Sequence, residues 1–206
     1  MSTFQNPQHD WNQLFAAQHY VFGEAPNLYL KSQAAHLVPG TALAVADGEG
    51  RNGVWLAEQG LSVDAFDFSD NAIQKAKALA KNRQVQVNFV SSDWQSFEWL
   101  PAHYDNIVGI FFQFATPEDR QHLFARMMDS LKPGGTLIIQ GYSLRQIDFN
   151  TGGPGKLAHL YDEELMLDAF GGLDILDLRT YEAEITEGTG HQGMSGLLGL
   201  TARKPA

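Results

Sequence analysis

Three glycines, Gly48, Gly50 and Gly53, stand in a G-x-G-x-x-G spacing inside the stretch DGEGRNG (47–53). An apolar run, TALAVA (41–46), precedes them, and a helix-compatible stretch to Gly60 follows. This is the arrangement in which a strand turns sharply into a helix. The glycines permit close backbone approach, and the free N–H groups of the helix start face a phosphate or nucleoside. Asp67 ends the next apolar run, LSVDAFDF (61–68), where a carboxylate can accept hydrogen bonds from ribose hydroxyls. After a third run, VQVNFV (85–90), the tripeptide Ser92-Asp93-Trp94 offers an acid and a backbone N–H to the edge of a base. The glycine spacing alone does not separate a dinucleotide from another adenosine-bearing ligand.

The elements that position these residues alternate regularly. TALAVA has the near-continuous apolarity of a strand buried on both faces of a parallel sheet. Ser69 or Asp70 caps a helix whose Ala72, Ile73, Ala76, Leu79 and Ala80 share one face. DNIVGIFF (105–112) is a fourth strand, and Thr116-Pro117-Glu118-Asp119 has the cap, proline and acids of a helix start. Leu123, Phe124, Met127, Met128 and Leu131 continue that helix as core, LKPGG (131–135) ends it, and TLIIQG (136–141) is a fifth strand. A helix from Asp162 to Gly171-Gly172 leads to two last strands, LDILDLRTYEAEI (173–185) and SGLLGLTAR (195–203). Only TEGTGHQGM separates those two, so they pair as an antiparallel hairpin at one sheet edge. The expectation is an α/β, Rossmann-like, doubly wound fold: seven strands, mostly parallel, in a single domain over residues 1–206 whose core is residues 41–206. Residues 1–40 form a helical N-terminal segment, with Leu30, Ala34, Leu37 and Val38 on one side of its second helix.

The chain has 206 residues, 14 Lys plus Arg and 24 Asp plus Glu, for a net charge of −10. That balance counts against nucleic-acid binding, which needs clustered cations. Cysteine is absent, which excludes a disulfide framework, thiolate metal sites and a Cys nucleophile. No metal site is expected. No apolar run is long enough to span a membrane, and MSTFQNPQHD lacks the features of a secretory signal, so a cytoplasmic location is expected.

Taken together, YVFGEAPNLYL (20–30), ALAVADGEGRNGVWLAEQG (42–60), VDAFDFSDNAIQKAKALA (63–80), SSDW (91–94) and LKPGGTLII (131–139) resemble class I S-adenosylmethionine-dependent methyltransferases. The resemblance is to the small bacterial branch with tellurite-resistance-type and thiopurine-type enzymes, and it spans about residues 10–204. It implies S-adenosylmethionine as cofactor and a small-molecule methyl acceptor for a monomer or homodimer. It places the cofactor against Ala46, Asp47, Gly48, Gly50 and Arg51, against Asp67, Phe68 and Ser69, and against Asp93, Trp94 and Phe111. The usual acid-x-Gly-x-Gly-x-Gly pattern is broken, because Ala44 and Ala46 stand at the acid and first glycine. Asp47 is the nearest acid; it either meets the cofactor's ammonium or orients the loop. The resemblance also makes the N-terminal segment, with Trp11, His19, Tyr20 and Phe22, a lid; plain packing of a helix is the alternative.

The chain ends in a hairpin without a second substrate domain, which disfavours an NAD-dependent oxidoreductase. A non-catalytic S-adenosylmethionine-binding module is the other alternative. For the acceptor side the candidates are Gln113, just past the fourth strand, His191 in the last hairpin turn, and Tyr20. Each also has a purely structural reading. Glu182, Glu184 and Glu187 read as a solvated edge-strand face, and Asn150 to Gly155 as an anion-binding nest or a mobile loop.

Overall fold

Short apolar runs alternating with capped helices give seven strands and seven helices over residues 7–149 and 151–206, which the computed structural model describes. Asn150, at the head of the expected nest, lies outside those residues. The strands are β1 (Thr41–Val45), β2 (Ser62–Asp67), β3 (Val87–Ser91), β4 (Tyr104–Ile110), β5 (Leu131–Tyr142), β6 (Asp174–Glu187) and β7 (His191–Arg203). The helices are α1 (Pro7–Leu14), α2 (Leu28–Ser32), α3 (Arg51–Glu58), α4 (Asp70–Asn82), α5 (Pro117–Ser130), α6 (Gln146–Phe149) and α7 (Glu163–Phe170).

The sheet order is β3-β2-β1-β4-β5-β7-β6. Pairs among β1 to β5 are parallel, and β7 runs antiparallel to both β5 and β6. This is the expected doubly wound sheet with its antiparallel hairpin. Strand order reverses between β1 and β4, which opens a crevice beyond their carboxyl ends. Caps fix the helix starts: Ser69 accepts from the Ala72 N–H, Thr116 from Asp119 and Asp162 from Leu165. One core layer joins Leu43, Ile107, Leu123, Met127 and Phe170, and the other joins Leu30, Ala42, Leu56, Val63 and Ile138.

Three expectations need correction. The helix over residues 30–38 stops at Ser32, and a 3-10 turn, Ala34–His36, follows. LKPGG is not only a helix stop: β5 begins at Leu131, opposite Tyr104, and passes through a bulge before Thr136 pairs with Asn106. Most consequentially, the last hairpin is longer than its sequence indicates. β6 runs on to Glu187 and β7 starts at His191, so the turn is only Gly188-Thr189-Gly190. β5 ends at Tyr142, opposite Leu197, while β6 and β7 stay paired to Glu187↔His191. The pair therefore continues as a two-stranded arm past the end of β5. Glu182 and Glu184 are exposed along it as expected, whereas Glu187 is buried.

Gly50 shows how tightly the β1–α3 turn is held. Its φ is +90°, and a Cβ there would lie 2.6 Å from the Cβ of Ala76 on α4. Gly60 has a similar φ of +87° with open space around it. Gly60→Ala should therefore cost only the left-handed conformation, about 1–2 kcal/mol, while Gly50→Ala adds an overpacking cost of about 1–3 kcal/mol. Urea unfolding of both variants checks this, and equal losses would mean that α4 yields to the added methyl.

Candidate active site

The turn after β1 is built by two carboxylates. Asp47 accepts the Gly53 N–H with both oxygens, at 3.0 and 3.2 Å. Asp67, at the end of β2, accepts from Gly48 N–H at 3.0 Å and from Ser69 N–H at 2.9 Å. Asp67 is buried and Asp47 partly so, and loss of solvent pushes Asp47 up to about 7 and Asp67 up to about 6. The backbone N–H groups act in the opposite direction, and the nearby Asp67 charge raises Asp47 further. Asp47 thus orients the loop. Ala46, where the usual pattern has glycine, has φ +49°, and Phe111 after β4 has φ +54°. Two strained residues end the two strands that flank the crevice.

Between them lies a cavity of about 90 Å3. Ala46, Asp47, Gly48, Arg51, Asp67 and Phe68 line one side, and Phe111, Phe112 and Phe114 line the other. Trp11, Phe15, Phe22 and His191 also line it. Trp11 stacks on Phe15 at 5.6 Å between ring centroids, and Phe22 meets the Phe15 edge at 6.0 Å. The hairpin arm joins this N-terminal segment directly, because the Val21 carbonyl accepts from the N–H groups of Thr189 and Gly190. Glu49 ties the same segment to the glycine turn: it accepts from Phe22 N–H at 3.2 Å and from Lys75 Nζ at 2.7 Å.

The arm carries a buried charge into the site. Glu187 receives Arg51 Nη2 at 2.6 Å, Asn27 Nδ2 at 2.9 Å and Leu28 N–H at 3.4 Å. Burial opposes its ionisation, but His191 and Arg51 outweigh that and hold it below the usual carboxylate range. Asn27 also donates to Gln140 at 2.6 Å and takes an N–H from Leu30, so one buried amide connects α2, β5 and β6. His191 Nδ1 is 3.7 Å from Glu187, an ion-pair distance beyond hydrogen-bond reach, and has no hydrogen-bond partner among the described residues. Burial lowers the His191 pKa below its ordinary value, Arg51 adds to this and Glu187 opposes it, so the ring is neutral at pH 7. Arg51 Nη1 is likewise buried without a hydrogen-bond partner.

The sequence candidates divide accordingly. Ala46, Asp47, Gly48, Arg51, Asp67, Phe68, Phe111 and His191 line the cavity. Gly50 faces Ala76 instead, and Ser69 caps α4 while bonding Asn12. Asp93 is exposed and accepts from the N–H groups of Gln95 and Ser96; Trp94 packs against the core. The strand before them, β3, lies two places from β1, and the cavity centres on β1 and β4. Gln113 is a structural cross-link and not an acceptor-facing group. Its amide donates to the carbonyls of Tyr142 and His159 and accepts from Tyr142 N–H, which uses both ends. Tyr20 points away from the cavity and donates to the Lys75 carbonyl at 3.1 Å. Glu187 and Asn27 were not anticipated. The signal for Glu187 was parity: it shares the inward alternation of Ala183 and Ile185, whereas Glu182 and Glu184 alternate outward. Among the described residues no cluster of three or more His, Asp or Glu forms a metal site, and no helix is long and apolar enough to cross a membrane.

Comparison with known proteins agrees with the fold. Residues 42–135 match the family described as "Methyltransferase domain". A demethylmenaquinone methyltransferase of Renibacterium salmoninarum is 29% identical over 111 residues, 53% of this chain and 45% of that protein. A carboxy-S-adenosyl-L-methionine synthase of Shewanella loihica is 32% identical over 83 residues, 39% of this chain and 34% of that protein. The chain thus spans less than half the length of these curated relatives. The structure of TehB from Haemophilus influenzae superposes with a TM-score of 0.72 at 18% identity, covering 96% of this chain and 66% of that one.

The raised Asp67 has a sign that can be tested. Its folded pKa of about 6 exceeds the ordinary value of 3.8, so the folded state holds the proton more tightly. Stability from this group is present below pH 4 and lost as pH rises through 6. Asp67→Asn escapes that loss, so its stability relative to wild type should grow by about 3 kcal/mol between pH 4 and 8. Urea midpoints across that range check it; a difference independent of pH would mean that Asp67 titrates normally. The chain has the Rossmann-like methyltransferase fold, and its residues 42–135 match the methyltransferase-domain family.

Proposed function

We propose that the protein is an S-adenosylmethionine-dependent methyltransferase acting on a small-molecule acceptor. The observation that carries this is the Asp67 carboxylate at the cavity wall beside the Gly48 turn, at the crevice where strand order reverses. S-adenosylmethionine supplies a methyl group already activated on a sulfonium, so positioning and exclusion of water can provide most of the rate. In this site Asp67 accepts from the ribose hydroxyls. The unpartnered Arg51 Nη1 donates to the carboxylate of the amino-acid part, and Phe68 and Phe111 border the ligand. The whole-chain likeness to TehB supports placement near the tellurite-resistance-type branch. A net charge of −10 favours a small acceptor over a nucleic acid.

A cavity of about 90 Å3 is well below the roughly 300–1,000 Å3 of ligand pockets. Part of the aromatic cover must therefore withdraw to admit a nucleoside, and the segment bearing Trp11, Phe15 and Phe22 is the part that lies over Gly48. The described part of the N-terminal segment, residues 7–40, thus acts as the lid of a single domain.

S-adenosylhomocysteine at about 100 times its dissociation constant should raise the melting temperature by about 5–10 °C, from roughly 2.7 kcal/mol of linkage. NAD should leave it unchanged. A shift with NAD and none with S-adenosylhomocysteine overturns the reading. Hydrogen exchange across residues 10–30 should slow when S-adenosylhomocysteine is bound, and equal exchange would make the segment fixed packing.

A further inference from the structure

We infer that Glu187 and Asn27 are positioning residues that reserve one nitrogen of Arg51 for a carboxylate on the ligand. The site thereby selects adenosine compounds that carry an amino-acid tail over those that lack one. The inference rests on the methyltransferase reading above, which gives Arg51 that carboxylate, and deepens it.

An arginine that faces a carboxylate commonly grips it with two parallel N–H···O bonds. Arg51 does not. Glu187 gives it one oxygen, Oε2, which accepts from Nη2 at 2.6 Å. The other oxygen, Oε1, is taken by Asn27 Nδ2 at 2.9 Å and by the Leu28 N–H at 3.4 Å. Asn27 is itself fixed on every side. Its N–H donates to Asn52 Oδ1 at 3.0 Å, its amide also donates to Gln140, and its Oδ1 accepts from the Leu30 N–H. The Glu187 carboxylate therefore cannot turn to offer both oxygens to Arg51. Nη1 is left buried without a hydrogen-bond partner among the described residues. The Arg51 and Glu187 side chains are each 7% exposed, so bulk water does not serve it. A cationic N–H buried without an acceptor is costly, and a ligand carboxylate relieves that cost.

The rest of the wall offers a carboxylate no other place. Arg51 is the one Lys or Arg among the described residues that line the cavity. Lys75 does not line it and is engaged elsewhere, by Glu49 and by the His19 carbonyl, at 2.7 Å each. Ala44, at the acid position of the usual glycine pattern, packs in the core, and Asp47 is spent on the Gly53 N–H. Charge recognition of the tail thus falls to Arg51, which the hairpin arm and the start of α2 hold from behind. A ligand without the carboxylate leaves Nη1 unpaired, which is the situation in which a polar site rejects an analogue most strongly.

The test is calorimetry on the full chain with S-adenosylhomocysteine and with 5′-methylthioadenosine, which has the adenosine and the sulfur but no amino-acid tail. The readout is the ratio of their dissociation constants. Wild type should prefer S-adenosylhomocysteine by about tenfold or more, the worth of one charge-assisted hydrogen bond. Asn27→Ser still caps α2 but is too short to reach Glu187. It frees Oε1 to swing onto Nη1, so the preference should fall to near parity while the affinity for 5′-methylthioadenosine is unchanged. Glu187→Gln keeps the shape but has one oxygen where Arg51 Nη2, Asn27 Nδ2 and the Leu28 N–H converge. It cannot hold all of them, and the preference should fall likewise. A merely structural role lowers both affinities together and leaves the ratio unchanged. Removal of a competing negative charge raises the ratio. Either result, in either variant, overturns the inference. So does a wild type that binds 5′-methylthioadenosine as tightly as S-adenosylhomocysteine or more tightly. Failure to bind either ligand is the separate failure of the methyltransferase reading, and the inference falls with it.

Discussion

A carboxylate taken out of water must find charged and hydrogen-bonding partners or lose its charge. Glu187 finds Arg51 from the glycine turn and Asn27 from the N-terminal segment. Neither partner is near it in sequence. The pair is a geometric constraint more than a source of stability, since a buried ion pair roughly repays its own desolvation. Its effect is to specify: the arm, the turn and the start of α2 meet in one arrangement, because any other leaves a buried charge alone. His191 and the Phe22 ring take their places from that arrangement.

The turn itself follows similar logic at smaller scale. Backbone N–H groups at a helix start attract anions, and here the protein supplies its own in Asp47 and Asp67. Those acids hold a backbone in which Ala46 and Phe111 adopt left-handed conformations that only surrounding structure can maintain. The stable sheet behind them bears that cost, with β1 and β4 paired along their lengths and buried on both faces.

Much of this was legible in the sequence because it is local. Apolar runs marked the strands, Ser69, Thr116 and Asp162 marked the helix starts, and the glycine spacing with Asp67 marked the turn. What escaped was decided by distant packing or by a competing bond within the turn. Gln113 has the type and place of an acceptor-facing residue, yet the Tyr142 backbone opposite claims its amide. Asp93 has a suitable position after β3, yet it engages the N–H groups of its own turn. The polar string TEGTGHQGM looks like a loop by composition. Only the extra length of the strand pairing shows that Glu187 and His191 reach the interior.

The chain places the two halves of its pocket far apart in time. A ribosome releases the glycine turn and Asp67 well before the arm that meets Arg51, which follows more than 100 residues later. Contacts of such sequence separation form late, because loop closure must precede any return from them. β7 must also insert between β5 and β6 to complete the sheet. A nascent chain can therefore fold its first parallel strands with Arg51 still facing water. The cavity wall that His191 supplies therefore exists only once the hairpin has docked, and is not a property of the glycine turn alone.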